Sequence, residues 1–209
     1  VLLLVLGFVL ADQASFAKSY VKDQLSEQKI TFATEDKLTE EETSWKPGSV
    51  CLIENAGKLM QTGKQAECYA NFFIAMHMDR SATNAGYPGE TYATMGSVRS
   101  GLAAEVTAAK EAGADEETIA DLQKKVDAAA SLRSTFQTGE TLRGLLLTSY
   151  GFSIFGEKAA LAANVAYAAG GVLILLSLAG FIHAFVTPKE KTVFVPARSV
   201  ERLDPAAAK

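Results

Sequence analysis

A run without charge sets the first limit on what this chain can fold into. From Ala159 to Val186 there is no Asp, Glu, Lys or Arg, and the part from Val165 onward is rich in Ala, Leu, Ile and Gly. About 20 residues, rising about 1.5 Å each, cross a hydrocarbon core of about 30 Å. The run is therefore long enough to span a bilayer. The competing reading is a core helix buried on all sides, and a chain of 209 residues lacks the mass to surround one. Val1 to Ala11 is also apolar throughout but too short to span by itself. Val9-Leu10-Ala11 fits a signal-peptidase site poorly. Together with the start at Val rather than Met, this reads as the end of a first transmembrane helix, truncated at its N-terminus.

The resulting expectation is an all-α membrane protein: two transmembrane helices flanking an extracytoplasmic helical domain. Its parts are residues 1–11 (first helix), 12–158 (external domain), 159–186 (second helix) and 187–209 (tail). Orientation follows from the flanking cations. The tail carries Lys189 and Lys191 just past the apolar run and has a net charge of +2, whereas residues 12–158 sum to −6. Basic residues stay inside, so both termini are expected in the cytoplasm of a plasma-membrane protein.

Within the central segment, Phe16, Tyr20, Val21 and Leu25 recur at helical spacing and can continue the first helix outward. Residues 34–48, with Glu40-Glu41-Glu42 and Lys46-Pro47-Gly48, read as a polar loop with a turn, the acidic triplet being either solvated loop or a helix end. Val50 to Met60 and Ala66 to Met78 read as a helical hairpin, with Gly63 just past the end of its first helix. Cys51 and Cys68 fall at opposite ends of such a hairpin, which complicates a bridge between them. Two Cys in an oxidising exterior nevertheless most often pair, and a disulfide Cys51–Cys68 is expected; the alternative is two buried free thiols.

Residues 79–97, with several Gly and one Pro, read as an irregular loop. Its Tyr87 and Tyr92 read first as packing back onto the helices, with contact to a partner as the other reading, and they are carried as candidate partner contacts. Val98, Leu102 and Val106 form one helical face, Gly113 breaks it, and Asp115 caps the next helix, where Glu116 and Glu117 suit the dipole. Ile119, Leu122, Val126, Ala129 and Leu132 continue as a seam for an antiparallel pair. Leu142 to Phe155 reads either as an interfacial helix or as an outward extension of the spanning helix, with Gly156 permitting a bend.

Catalytic signals are lacking. The net charge of −4 argues against nucleic acid. His77 and His183 are expected on opposite sides of the membrane, and His77 has no sequence-local carboxylate or Cys at ligand spacing. No phosphate loop, dinucleotide fingerprint, nucleophile elbow or zincin motif occurs. Neither a catalytic nor a metal site, no cofactor and no small-molecule substrate are therefore expected.

Several segments resemble a family of actinobacterial membrane proteins with two spanning helices around an external helical segment. They are Phe16-Ala17-Lys18-Ser19-Tyr20-Val21, Gln28-Lys29-Ile30-Thr31-Phe32, Thr62-Gly63-Lys64-Gln65-Ala66, Thr91-Tyr92-Ala93 and Gly139-Glu140-Thr141-Leu142-Arg143-Gly144-Leu145-Leu146-Leu147. Members are sometimes labelled aromatic ring-opening dioxygenases. The residues here do not support that label, since non-haem iron needs two His and a carboxylate facing one metal. The resemblance carries no activity and no site residues.

The leading expectation is a non-catalytic accessory subunit of a larger membrane complex, with an actinobacterial respiratory supercomplex as host. Small residues from Ala166 to Gly171 suit close helix packing. Gly170, Gly171 and, in the tail, Phe194 join the two tyrosines as expected partner contacts. The alternative is a membrane-anchored external sensor or ligand-binding module.

Overall fold

A computed structural model describes residues 1–187, all-helical but for turns and one isolated bridge. The tail beyond Thr187, and with it the contact expected at Phe194, lies outside the described residues. Helix α1 (Leu2–Glu27) runs without a break through the expected boundary at residue 11. It stops where Lys29 takes a left-handed conformation, φ 54°, and its N–H turns back to Ser26 O at 3.0 Å. Helix α7 (Glu116–Val186) is a single 71-residue rod, about 105 Å long at helical rise. It passes through the expected boundary at residue 158, so Leu142 to Phe155 continues the apolar run as one helix and is not a separate interfacial helix. Both helices are long and apolar enough to cross a membrane.

The two pack antiparallel. Gly156, Ala163 and Gly170 are buried on α7 at seven-residue spacing, facing Gly7, Ala17, Val21 and Leu25 of α1. A Cβ at Gly156 would lie 2.8 Å from that of Ala17, and one at Gly170 would lie 2.9 Å from Leu4 Cδ2. Gly156 thus serves close approach of the helices rather than a bend. The same stem face that brings backbones together is built of residues too small to hold them apart.

Short elements fill the space beside the upper stem. Helices α2 (Glu40–Ser44) and α3 (Cys51–Glu54) lead into an extended return, where Phe32 N–H donates to Lys58 O at 3.0 Å and Met60 N–H to Ile30 O at 2.8 Å. Next come α4 (Gly63–Cys68), a π-helical segment Tyr69–Ile74, and α5 (Ala75–Asn84), all in one rod. This corrects the expected hairpin: only one turn of Val50 to Met60 is helical, and Gly63 opens a helix instead of following one. Thr62 is the N-cap, its hydroxyl accepting from Gln65 N–H while the Gln65 side chain reaches back, a reciprocal cap that fixes the start. With the first stretch folded back, Cys51 returns beside Cys68. The two form a disulfide, Cα atoms 6.1 Å apart.

This arrangement encloses a core of Val21, Leu25, Phe32, Leu52, Met60, Ala66, Ala70, Ile74 and Leu146 around the disulfide. A second core lies farther out. Helix α6 (Thr94–Glu111) packs on the first part of α7, burying Met95, Ala129, Leu132 and Phe136 with Ala82 of α5. Gly113, φ 72°, turns the chain between them, and Asp115 caps α7 by accepting from Thr118 N–H at 2.7 Å. The sequence seam is the observed interface. The irregular loop is shorter than expected, since α5 continues to Asn84 and α6 begins at Thr94.

Candidate functional site

The acidic triplet Glu40-Glu41-Glu42 is the first turn of α2, the helix end that is one of its two readings. Thr39 caps it, and the Glu42 carboxylate accepts from Thr39 N–H at 2.7 Å and from its hydroxyl at 3.0 Å. Glu42 is buried, and its other oxygen lies 3.6 Å from His77 Nε2. His77 Nδ1 sits 2.9 Å from Phe73 O. The carboxylate that local sequence did not supply thus arrives from 35 residues upstream. Tyr69, Phe73 and His77 stack at four-residue spacing, ring centroids 4.5 and 4.2 Å apart, with Phe32 edge-on to Tyr69. Burial raises the Tyr69 phenol above its ordinary pKa. Both ring nitrogens thus lie near oxygen atoms of the chain. Among the described residues no three His, Cys, Asp or Glu side chains converge as metal ligands.

Beside this column an open groove of about 550 Å³ runs between α5 and α7, lined by His77, Ser81, Ser131, Ser134, Thr135 and Thr138. A larger one of about 820 Å³ lies at the upper stem between α1, the α4 N-terminus and α7. Lys64 stands at its edge, bonded to Tyr150 Oη and Glu67, both at 3.1 Å. These two bonds raise its pKa, Tyr150 contributing most.

The expected partner contacts divide. Tyr87 and Tyr92 are half-buried against the second core, and the Arg133 guanidinium lies 4.1 Å over the Tyr92 ring. Both rings thus pack onto the molecule's own core, as the first reading of this loop expects. Gly170 is covered by Leu3 and Leu4 of the same chain, so its close approach is made inside the molecule. Gly171, the next residue and on another face, has no atom within 4 Å of where a Cβ would sit; Gly180 is equally open. From residue 172 to residue 186 every side chain is exposed, including Leu175, Leu176, Phe181 and Phe185. The upper groove escaped the sequence reading. Its signal was Lys18 and Lys22, one helical turn apart just past an apolar run.

No protein-family model matches the chain, and neither a characterised protein nor a solved structure matches it.

Proposed function

We propose that this chain is a non-catalytic accessory subunit of a larger membrane protein complex, serving its assembly or stability. In this reading α1 and the last part of α7 lie in the bilayer, the disulfide-bearing head lies outside, and both ends are cytoplasmic. The observation that carries it is the uncovered end of α7. Residues 172–186 present apolar side chains on every side, and the open Gly171 and Gly180 leave room for another helix to approach closely. The disulfide agrees with an oxidising compartment for the head, and Lys189 and Lys191 with a cytoplasmic end of α7. The resemblance noted above makes an actinobacterial respiratory assembly the proposed host.

Purification in mild detergent through a C-terminal tag, with mass spectrometry of the eluate, tests this. Membrane proteins in fixed stoichiometry are expected, and Gly171→Leu with Gly180→Leu should release them while the head stays folded. A lone monomer or homo-oligomer would sink the proposal. A second reading, a head that binds a ligand, is favoured by the hydroxyl-lined groove along α5 and α7. It predicts that Ser134→Ala with Thr138→Val abolishes ligand capture and leaves co-purification intact.

A further inference from the structure

The upper groove lies at a particular level of the stem. Its lower lining is Ala14 of α1 and Ala160 of α7. On α7 this is the edge of the charge-free run, and on α1 it is just past Asp12, the first charge in the chain. On the membrane reading of the previous section, on which this inference rests, the groove therefore opens from the hydrocarbon edge into the headgroup layer. Lys18 and Lys22, also in its lining, stand about 6 and 12 Å above Ala14 along α1. Lysine stems of that length let the ammonium reach down to phosphate level.

Charge on the groove is selective. Lys64 is matched by Glu67 at 3.1 Å, whereas Lys18 and Lys22 have no ion-pair partner among the described residues. Glu157 is the one carboxylate in the lining. The groove is left with one net positive charge, in a segment whose net charge is −6. An occupant with one negative charge, an apolar tail and a headgroup hydroxyl for Glu157 matches the charges of this lining and its apolar lower end.

We propose that the groove seats one anionic phospholipid of the phosphatidylglycerol type. Its phosphodiester lies between Lys18 and Lys22, and an acyl chain runs down past Ala14 and Ala160. The lipid would then fill the space between α1, α4 and α7 and tie the head to the outer leaflet.

The test uses the full chain in neutral detergent, titrated with phosphatidylglycerol, phosphatidylcholine or inorganic phosphate and read by native mass spectrometry. Phosphatidylglycerol should bind at least about tenfold more tightly than phosphatidylcholine, and Lys18→Gln with Lys22→Gln should remove about tenfold of that affinity. Ala160→Leu, which narrows the tail path and leaves the charge untouched, should also weaken retention. Lys124→Gln, on the distant part of α7, should change nothing. Equal binding of the two lipids, or undiminished binding by the double lysine variant, overturns the assignment. Full displacement by millimolar inorganic phosphate overturns it too, in favour of a free-anion site. Flotation with phosphatidylcholine vesicles separates the two proposals. A chain that floats but shows no lipid preference defeats only this inference, and one that does not float defeats the membrane reading itself.

Discussion

Two packed regions lie along α7 and are held together by different means. The outer one is a hairpin: α6 and residues 116–136 are near neighbours in sequence, and their apolar residues meet at helical spacing. The inner one gathers α1, the 30–33 and 57–60 return, α3, α4 and Leu146 of α7 around a disulfide. Its helix α3 with 4 residues, and the adjoining α2 with 5, are far below the length at which a helix holds itself in water. A long amphipathic helix needs only one matching face. Short elements need reciprocal caps and a covalent tie, because each contributes too little buried surface to offset its own ordering.

The sharpest way to break the comparison is to hollow out the outer region. Phe136, 3% exposed, replaced by Ala should cost about 3–5 kcal/mol. Hydrogen exchange should rise in α6 and residues 116–136 while amides of Cys51 and Cys68 stay protected. Equal loss in both regions would mean that they unfold as one unit. Next in size, Cys51→Ser with Cys68→Ser should cost about 3 kcal/mol for a loop of this length, seen as a lower melting temperature, with exchange rising in the inner region alone.

The stem offers a contrast of sign. Gly156→Ala places a methyl 2.8 Å from Ala17 Cβ and should destabilise by about 1–3 kcal/mol. Gly151→Ala, five residues earlier with open space around it, should stabilise by up to about 1 kcal/mol, as alanine does in an exposed helix. Denaturant titration of the two variants checks both, and equal signs would mean that α1 is not seated on α7 as described.

The smallest effects are in pH, where each region has its own reporter. Thr118 holds the Asp115 carboxylate below its ordinary 3.8, first through its N–H and then through its hydroxyl. A lowered folded value means stabilisation that is present above the ordinary value and lost as pH falls through the folded value. Asp115→Asn should keep the cap and flatten the acid side of the stability curve. Burial raises Tyr69 above its ordinary 10.0, so its contribution is complete below pH 10 and is lost as pH rises through the folded value. Tyr69→Phe should flatten the alkaline side, with the change confined to the inner region.

What local sequence encodes was readable where the chain meets itself nearby. Gly113, the Asp115 cap and the seam from Ile119 to Leu132 all depend on residues within a few positions of one another. Around the disulfide the same reading failed in two places through missed local signals: Thr39 with Glu42 and Thr62 with Gln65 are both capping-box spacings and mark helix starts at Glu40 and Gly63. The rest had no local signal. Nothing near His77 announces Glu42, and nothing near Val50 to Met60 says that residues 30–33 will pair with its second half and draw it out of helix.

The glycines of α7 make the same division. Composition alone determined that the end of α7 is long and apolar enough to cross a membrane, because length and absence of charge are properties of a single segment. It also determined that close helix packing was available there. Which glycines use it was decided only by the register of α1, which places Gly156 and Gly170 inside the molecule and leaves Gly171 and Gly180 open. A helix repeats every 3.6 residues, so adjacent glycines look alike in sequence and point about 100° apart in space. Only a second helix laid against the first distinguishes them.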